Sequence, residues 1–172
     1  MATAPLAIVV MGVCGSGKSV LGERLAQALG ACFVEGDDFH PPANVERMAA
    51  GIALDDAARQ GWLEALADEL ARVQAGGQRA VLACSALKRR YRDILRRGAP
   101  GLRLVHLAGS RNLLAQRMAT RQGHYMPASL LESQLAALEA PGADERAVTL
   151  DAGASVESLL QSALAQLRPA NP

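Results

Sequence analysis

Aromatic side chains are scarce in this chain: one Trp, two Tyr and two Phe stand among 172 residues. So few rings leave no stacking platform of the kind that reads single-stranded nucleic acid. Lysine is scarcer still. Only Lys18 and Lys88 occur beside sixteen arginines, so a surviving lysine suggests a need for a compact ammonium. Charge of one sign is also missing, because the net charge is +1. No strong field therefore recruits nucleic acid or a membrane surface. The three cysteines, Cys14, Cys32 and Cys84, have no CxxC spacing and no histidine cluster nearby. A disulfide framework and a structural zinc site are both excluded on that pattern. No apolar run approaches the ~18 residues of a membrane-spanning helix. Met1 to Pro5 lack a secretory leader's charged and cleavage regions, and a reducing cytoplasm is the expected location.

Half of the residues are apolar and a fifth are charged, as in an ordinary globular protein. The length suits one domain over residues 1–172. Leu6 to Met11 is a continuous, β-branched apolar run, the mark of a strand buried on both faces. Further strands are expected at Cys32–Glu35, Ala80–Cys84, Leu102–Leu107 and Ala147–Leu150. Helices are expected from about Lys18 to Leu29, near Ala43, and over 58–75, 86–97, 112–121, 130–138 and 155–168. Strands alternating with helices imply an α/β fold, a parallel sheet covered by helices on both faces.

Between the first strand and the first helix lies Gly12-Val13-Cys14-Gly15-Ser16-Gly17-Lys18-Ser19, followed by Val20. It satisfies the phosphate-binding pattern G-x-x-x-x-G-K-[ST] in the strand–loop–helix context that the pattern requires. Glycines let several N–H groups turn toward a phosphate, and the helix N-terminus adds partial positive charge. Lys18 is suited to the β- and γ-phosphates, and the Ser19 hydroxyl to Mg²⁺.

Such a loop serves switches, motors and small-molecule kinases alike. No N-K-x-D guanine-reading sequence is present, and the third strand has no terminal Asp. Acidic residues instead follow the second strand, at Glu35, Asp37 and Asp38. A carboxylate there sits at the carboxyl edge of the sheet, placed to orient or deprotonate an attacking hydroxyl or to hold Mg²⁺ through water. Asp38 reads as a polar turn residue, and Asp37 as the functional one.

Several stretches together resemble the gluconokinase family of small, adenylate-kinase-like P-loop kinases. They are Met11 to Ser19, Glu35-Gly-Asp-Asp-Phe-His-Pro41 with Asn44 and Met48, Trp62-Leu63, Ala83 to Asp93, His124-Tyr-Met-Pro127 and Leu138 to Arg146. The resemblance implies ATP-dependent phosphorylation of D-gluconate on its 6-hydroxyl, with Mg²⁺, and commonly a homodimer. It implies a five-stranded sheet of order 2-3-1-4-5 and a small lid at about 121–128.

A hydroxyl-rich anion needs a cationic anchor for its carboxylate. Arg59, Lys88 and Arg92 are the candidates, the last two read as projecting from one helix face. Asp37 is expected to orient the attacking hydroxyl and His40 to meet sugar hydroxyls, with His124 a further contact from the lid. Arg117 and Arg121 are expected to close over the phosphates. Their like charges, four positions apart, are otherwise mildly unfavourable. In this fold class the region Pro141–Arg146 is expected near the adenine, and Trp62 and Tyr91 read as packing residues. Two other readings stay open: a related kinase, for shikimate or a nucleotide, and a nucleotide-binding regulatory protein with no transfer.

Overall fold

Every residue of strand β1 (Ala7–Met11) is buried, because both faces of the sheet are covered. The computed structural model describes residues 6–121, 127 and 129–168. Alternate side chains of β1 feed two cores. Ala7, Val9 and Met11 join the larger one, with Trp62, Leu63, Leu66 and Leu70 of α3 (Asp56–Ala75) and Ile94 and Leu95 of α4 (Arg89–Gly98). Ile8 and Val10 join the other, with Leu21 and Leu25 of α1 (Lys18–Leu29) and Leu160 and Ala163 of α7 (Val156–Leu167). This period-two division explains the unbroken apolar run in the sequence.

The strands β2 (Cys32–Glu35), β3 (Ala80–Ala83), β4 (Arg103–Ala108) and β5 (Ala147–Asp151) complete a five-stranded sheet of order β2-β3-β1-β4-β5. Each pairing is parallel. The order is the one expected. Because β1 lies between β3 and β4, the chain leaves β1 at the point where the winding reverses. A crevice opens there at the carboxyl edge, the usual ligand site of such sheets.

The remaining helices are α2 (Pro42–Ala49), α5 (Arg111–Thr120) and α6 (Ser129–Ala137), with 3₁₀ turns at Gly36–Phe39 and Ala143–Glu145. α2 opens on a proline at its first turn, where the missing N–H costs nothing. The Asp55 side chain caps α3 by accepting from Ala58 N–H at 2.7 Å, so that helix begins two residues earlier than its apolar pattern shows. α4 begins later than expected. Ala86 takes a left-handed φ of 46°, and Lys88 occupies the cap position rather than the helix. A third, small cluster of Met48, Leu54 and Leu130 joins α2 and the approach to α3 to the start of α6. No helix among the described residues is long and apolar enough to cross a membrane.

Candidate active site

The loop after β1 turns on Gly15 and Gly17, whose φ values of 81° and 91° lie in the left-handed region. It delivers the chain into α1 with the first-turn N–H groups lacking intrahelical acceptors. Lys18 folds back so that its ammonium donates to the Val13 carbonyl at 3.2 Å. Burial lowers its pKa, and the nearby Asp37 carboxylate partly restores it.

Asp37 is positioned by the 3₁₀ turn that follows β2. The turn hugs β3 so closely that a Cβ on Gly36 would lie 2.4 Å from the Ala83 carbonyl oxygen, which is why a glycine stands there. The Gly36 carbonyl is fixed by the Trp62 indole N–H at 2.8 Å. Trp62 also stacks on His40, with centroids 4.0 Å apart and planes 16° from parallel. The expected packing role of Trp62 therefore extends to aligning the turn that carries Asp37 and His40.

Burial drives the His40 pKa down to about 4, with Arg59 adding to the effect and Asp37 opposing it. The ring is neutral near pH 7. The Asn44 amide lies 3.4 Å from its Nδ1 and donates to the Ala58 carbonyl at 2.8 Å. With Nδ1 as acceptor, Nε2 carries the proton and offers a donor. Glu35 lies against the Ser19 hydroxyl. Its carboxyl is raised, chiefly by burial and further by Asp37, while the Ser19 hydrogen bond pulls the other way.

These groups share one hollow. Cys14, Gly15, Gly17, Lys18, Ser19, Asp37, His40, Met48, Arg59, Ser85, Arg121 and Gln134 line it. Its enclosed volume is only ≈ 40 Å³, room for a water or two. Arg59, 7% exposed, also borders a second hollow of ≈ 220 Å³ together with Asp56, Lys88, Tyr91 and Ser133. There Lys88 Nζ donates to Asp56 at 3.0 Å, Arg90 joins the same carboxylate at 2.8 Å, and the Tyr91 hydroxyl donates to it as well. Arg59 and Lys88 both lie over the Tyr91 ring, at 5.5 and 5.8 Å from its centroid. On the far side of the phosphate loop is a groove of ≈ 330 Å³ lined by Val20, Arg117, Thr120, Arg121, Ala152, Ala154 and Val156. Val20 and Val156 are two of the three large hydrophobics exposed among the described residues.

The structure thus brings together Lys18, Ser19, Asp37, His40, Arg59 and Arg121, with Lys88 next door. Two expectations are corrected. Arg92 does not reach either hollow. It is wholly buried and grips Glu145 through two hydrogen bonds of 2.7 and 3.0 Å, while also donating to the Ala86 and Leu87 carbonyls. Lys88 and Arg92 therefore do not share a helix face, because the backbone at Lys88 is extended and only Arg92 lies within α4. The segment Pro141–Arg146 is not among the residues that line the groove beside the phosphate loop. Asp144 is bound by Arg89, Glu145 by Arg92 and Arg96, and the groove is walled instead by residues after β5.

Arg117 lies behind the loop, donating to the Ala152 carbonyl at 2.7 Å and to the Gly15 and Ser16 carbonyls at 3.5 and 3.4 Å. His124 and most of the expected lid, residues 122–126 and 128, lie outside the described residues.

Sequence reasoning missed Ser85 and Gln134. Ser85 lies two residues after the end of β3 at the ligand edge, and its place after a buried strand was a usable signal. Gln134 looks like any polar residue of an amphipathic helix, and nothing in the sequence marks it.

A protein-family model described as an AAA domain matches residues 8–141. The gluconokinase of Gluconobacter oxydans (strain 621H) is 51% identical over 145 residues, covering 84% of this chain and 82% of that one. The thermoresistant gluconokinase of Escherichia coli (strain K12) is 40% identical over 157 residues, covering 91% and 90%. Among solved structures, a gluconokinase from Sinorhizobium meliloti 1021 superposes with a TM-score of 0.85 at 47% identity, over 96% of this chain and 93% of that one. An unliganded sugar kinase from Janibacter sp. HTCC2649 gives 0.91 at 44% identity, over 95% and 94%.

Proposed function

The chain belongs to the gluconokinase family, and we propose that it transfers the γ-phosphoryl group of ATP to the 6-hydroxyl of D-gluconate, giving 6-phosphogluconate and ADP. The observation that carries the reading is the convergence of Lys18, Asp37, His40 and Arg59 on one hollow beside the phosphate loop. The phosphates lie in the backbone N–H groups from Gly15 to Val20, with Lys18 on the β- and γ-phosphates and Arg121 above them. The base and ribose occupy the groove beside Arg117, between the exposed Val20 and Val156.

Gluconate's carboxylate is met by Arg59 and Lys88, and together with Arg90 these three positive charges outnumber the two carboxylates of Asp55 and Asp56 there. Charge-assisted hydrogen bonds suit such an anchor. Neutral His40 donates to a sugar hydroxyl. Asp37 accepts the hydroxyl proton as the 6-oxygen attacks the γ-phosphorus. The bond from that phosphorus to the β–γ bridging oxygen breaks, and ADP leaves with its electron pair. Because the transition state is loose and charge-rich, the protein's work is mostly positioning and electrostatics.

The donor set suits Mg²⁺. Ser19 and Glu35 present hard oxygens side by side, and among the described residues no cluster of three His, Cys, Asp or Glu side chains is placed to hold a metal without the nucleotide. Ser19, with Glu35 against it, would hold Mg²⁺ beside the phosphates, and the ion would supply neutralisation of the charge that develops on them. A homodimeric state and a cytoplasmic location belong to the same reading.

The test is ADP release with ATP and Mg²⁺ on adding gluconate, shikimate or AMP in turn. Gluconate alone stimulates turnover, and Asp37→Asn lowers kcat roughly 10²–10⁴-fold. Stimulation only by shikimate or AMP overturns the acceptor. Stimulation by none of the three overturns transfer altogether and leaves a nucleotide-binding regulator.

A further inference from the structure

The phosphate loop carries glycines at 12, 15 and 17, all at positive φ, so its backbone is intrinsically permissive and must be held from outside. Most of its holds are long. Gly12 N–H donates to the Ser85 carbonyl at 3.3 Å, Ser16 N–H to the Val13 carbonyl at 3.3 Å, Lys18 Nζ to the Val13 carbonyl at 3.2 Å, and Arg117 to the loop carbonyls at 3.4 and 3.5 Å. One is short. Cys14 N–H donates to Gln134 Oε1 at 2.8 Å, in a buried setting, across 120 residues of sequence. Gln134 is 6% exposed and Cys14 4%, so the bond is largely shielded from bulk water, and a low dielectric strengthens it.

The helix that supplies Gln134 is itself firmly seated. In α6, Leu131 lies in the main core, and Leu130 packs with Met48 and Leu54 beneath the acceptor side of the site. Gln134 also lines the hollow that contains Lys18, Asp37 and His40. The loop is thus tethered at its apex to an element that also touches the acceptor-side helices.

We propose that Gln134 is a positioning residue for the phosphate loop: by accepting the Cys14 N–H it sets the loop's backbone so that the N–H groups from Gly15 onward face the nucleotide's phosphates. This deepens the kinase reading, and rests on it only for its kinetic half. With its N–H engaged by Gln134, Cys14 is not part of the phosphate cradle.

Cys14 provides a readout that does not depend on turnover. Its thiol is buried while the loop is held, and loosening the tether exposes it. Three proteins are compared in the full chain: wild type, Gln134→Met, which keeps the volume and removes the acceptor, and Gln134→Glu, which keeps an acceptor oxygen. Alkylation of Cys14 by iodoacetamide is followed by peptide mass spectrometry, which separates it from Cys32 and Cys84. Gln134→Met speeds Cys14 labelling about 3–10-fold, the range of one net hydrogen bond, and Gln134→Glu leaves it slow. In the same Gln134→Met protein KM for ATP rises by a similar factor, and by more than KM for gluconate.

Unchanged Cys14 labelling in Gln134→Met overturns the tether. Faster labelling with an unchanged KM for ATP overturns the positioning role and leaves a local packing bond. Should Gln134→Met fail to fold, amide exchange in the wild-type protein decides. A Cys14 N–H exchanging as slowly as those of β1 supports the tether, and exchange as fast as an open loop overturns it. Loss of gluconate stimulation in the wild type would sink the kinase reading without altering the labelling result, so the two failures are distinguishable.

Discussion

Lys88 keeps 30% of its side chain in solvent and shares Asp56 with Arg90 and the Tyr91 hydroxyl, whereas Arg92 keeps 1% and is locked to Glu145. Burial alone would raise the Glu145 pKa. Hydrogen bonds from Arg92, from Gly142 N–H and from Arg96 outweigh it and hold the carboxyl at about 2. A buried charge that loses its partner is costly, so Arg92→Ala lowers stability by about 3 kcal/mol, with KM for gluconate unchanged. Pairing Arg92→Met with Glu145→Leu returns much of that loss, because apolar replacements of similar volume need no desolvation of charge. Lys88→Ala has the converse signature: a raised KM for gluconate with little change in melting temperature or in KM for ATP. Thermal melts and initial rates on the three proteins check this. A gluconate KM that moves with Arg92 and not with Lys88 would reverse the assignment.

At the scale of elements, the 3₁₀ turn Gly36–Phe39 is the most constrained part of the site. A methyl group at Gly36 meets main chain, which cannot swing aside, so Gly36→Ala destabilises by ~1–3 kcal/mol and displaces Asp37. The expected result is a fall in kcat together with a lower melting temperature. Wild-type kcat and melting in that variant would show that the turn has room to shift.

This turn also marks the limit of what the sequence alone revealed. The phosphate loop and the alternation of strands and helices were legible from local pattern, whereas the strand order and the parts given to Asp37 and His40 rested on the resemblance of several motifs to one family. Arg92 was misread because its partner, Glu145, lies 53 positions away and helix spacing says nothing about which face is covered. The start of α4 was missed because the left-handed turn at Ala86 has no glycine to announce it. Gln134 was invisible for a similar reason: its role is a contact between distant segments.

For the whole molecule, acid is the condition that divides the folded from the unfolded chain most clearly. His40 has a folded value of about 4, and burial, helped by Arg92, also lowers His106, whose Nε2 is buried without a partner. Unfolded histidines titrate near ~6.5, so between the two values the unfolded chain binds more protons. The contribution of these histidines is therefore fully present above about pH 6.5 and is lost as the pH drops toward 4. Glu145 adds a second loss, from its unfolded value near ~4.5 down to about 2. Glu35, raised by burial, works in the opposite sense and takes away stability as the pH rises past its unfolded value. Denaturant midpoints at pH 7.5, 5.5 and 4.5 should decline in that order, with His106→Leu showing a shallower slope. Equal midpoints at 7.5 and 4.5 would contradict the buried neutral imidazoles.

The stacking of Trp62 on His40 has a practical corollary. The chain holds a single indole, and that fluorophore, itself buried in the larger core, stacks on the ring of His40, which lines the candidate site. Its emission is thus a spectroscopic window on that stack, free of background from any other tryptophan.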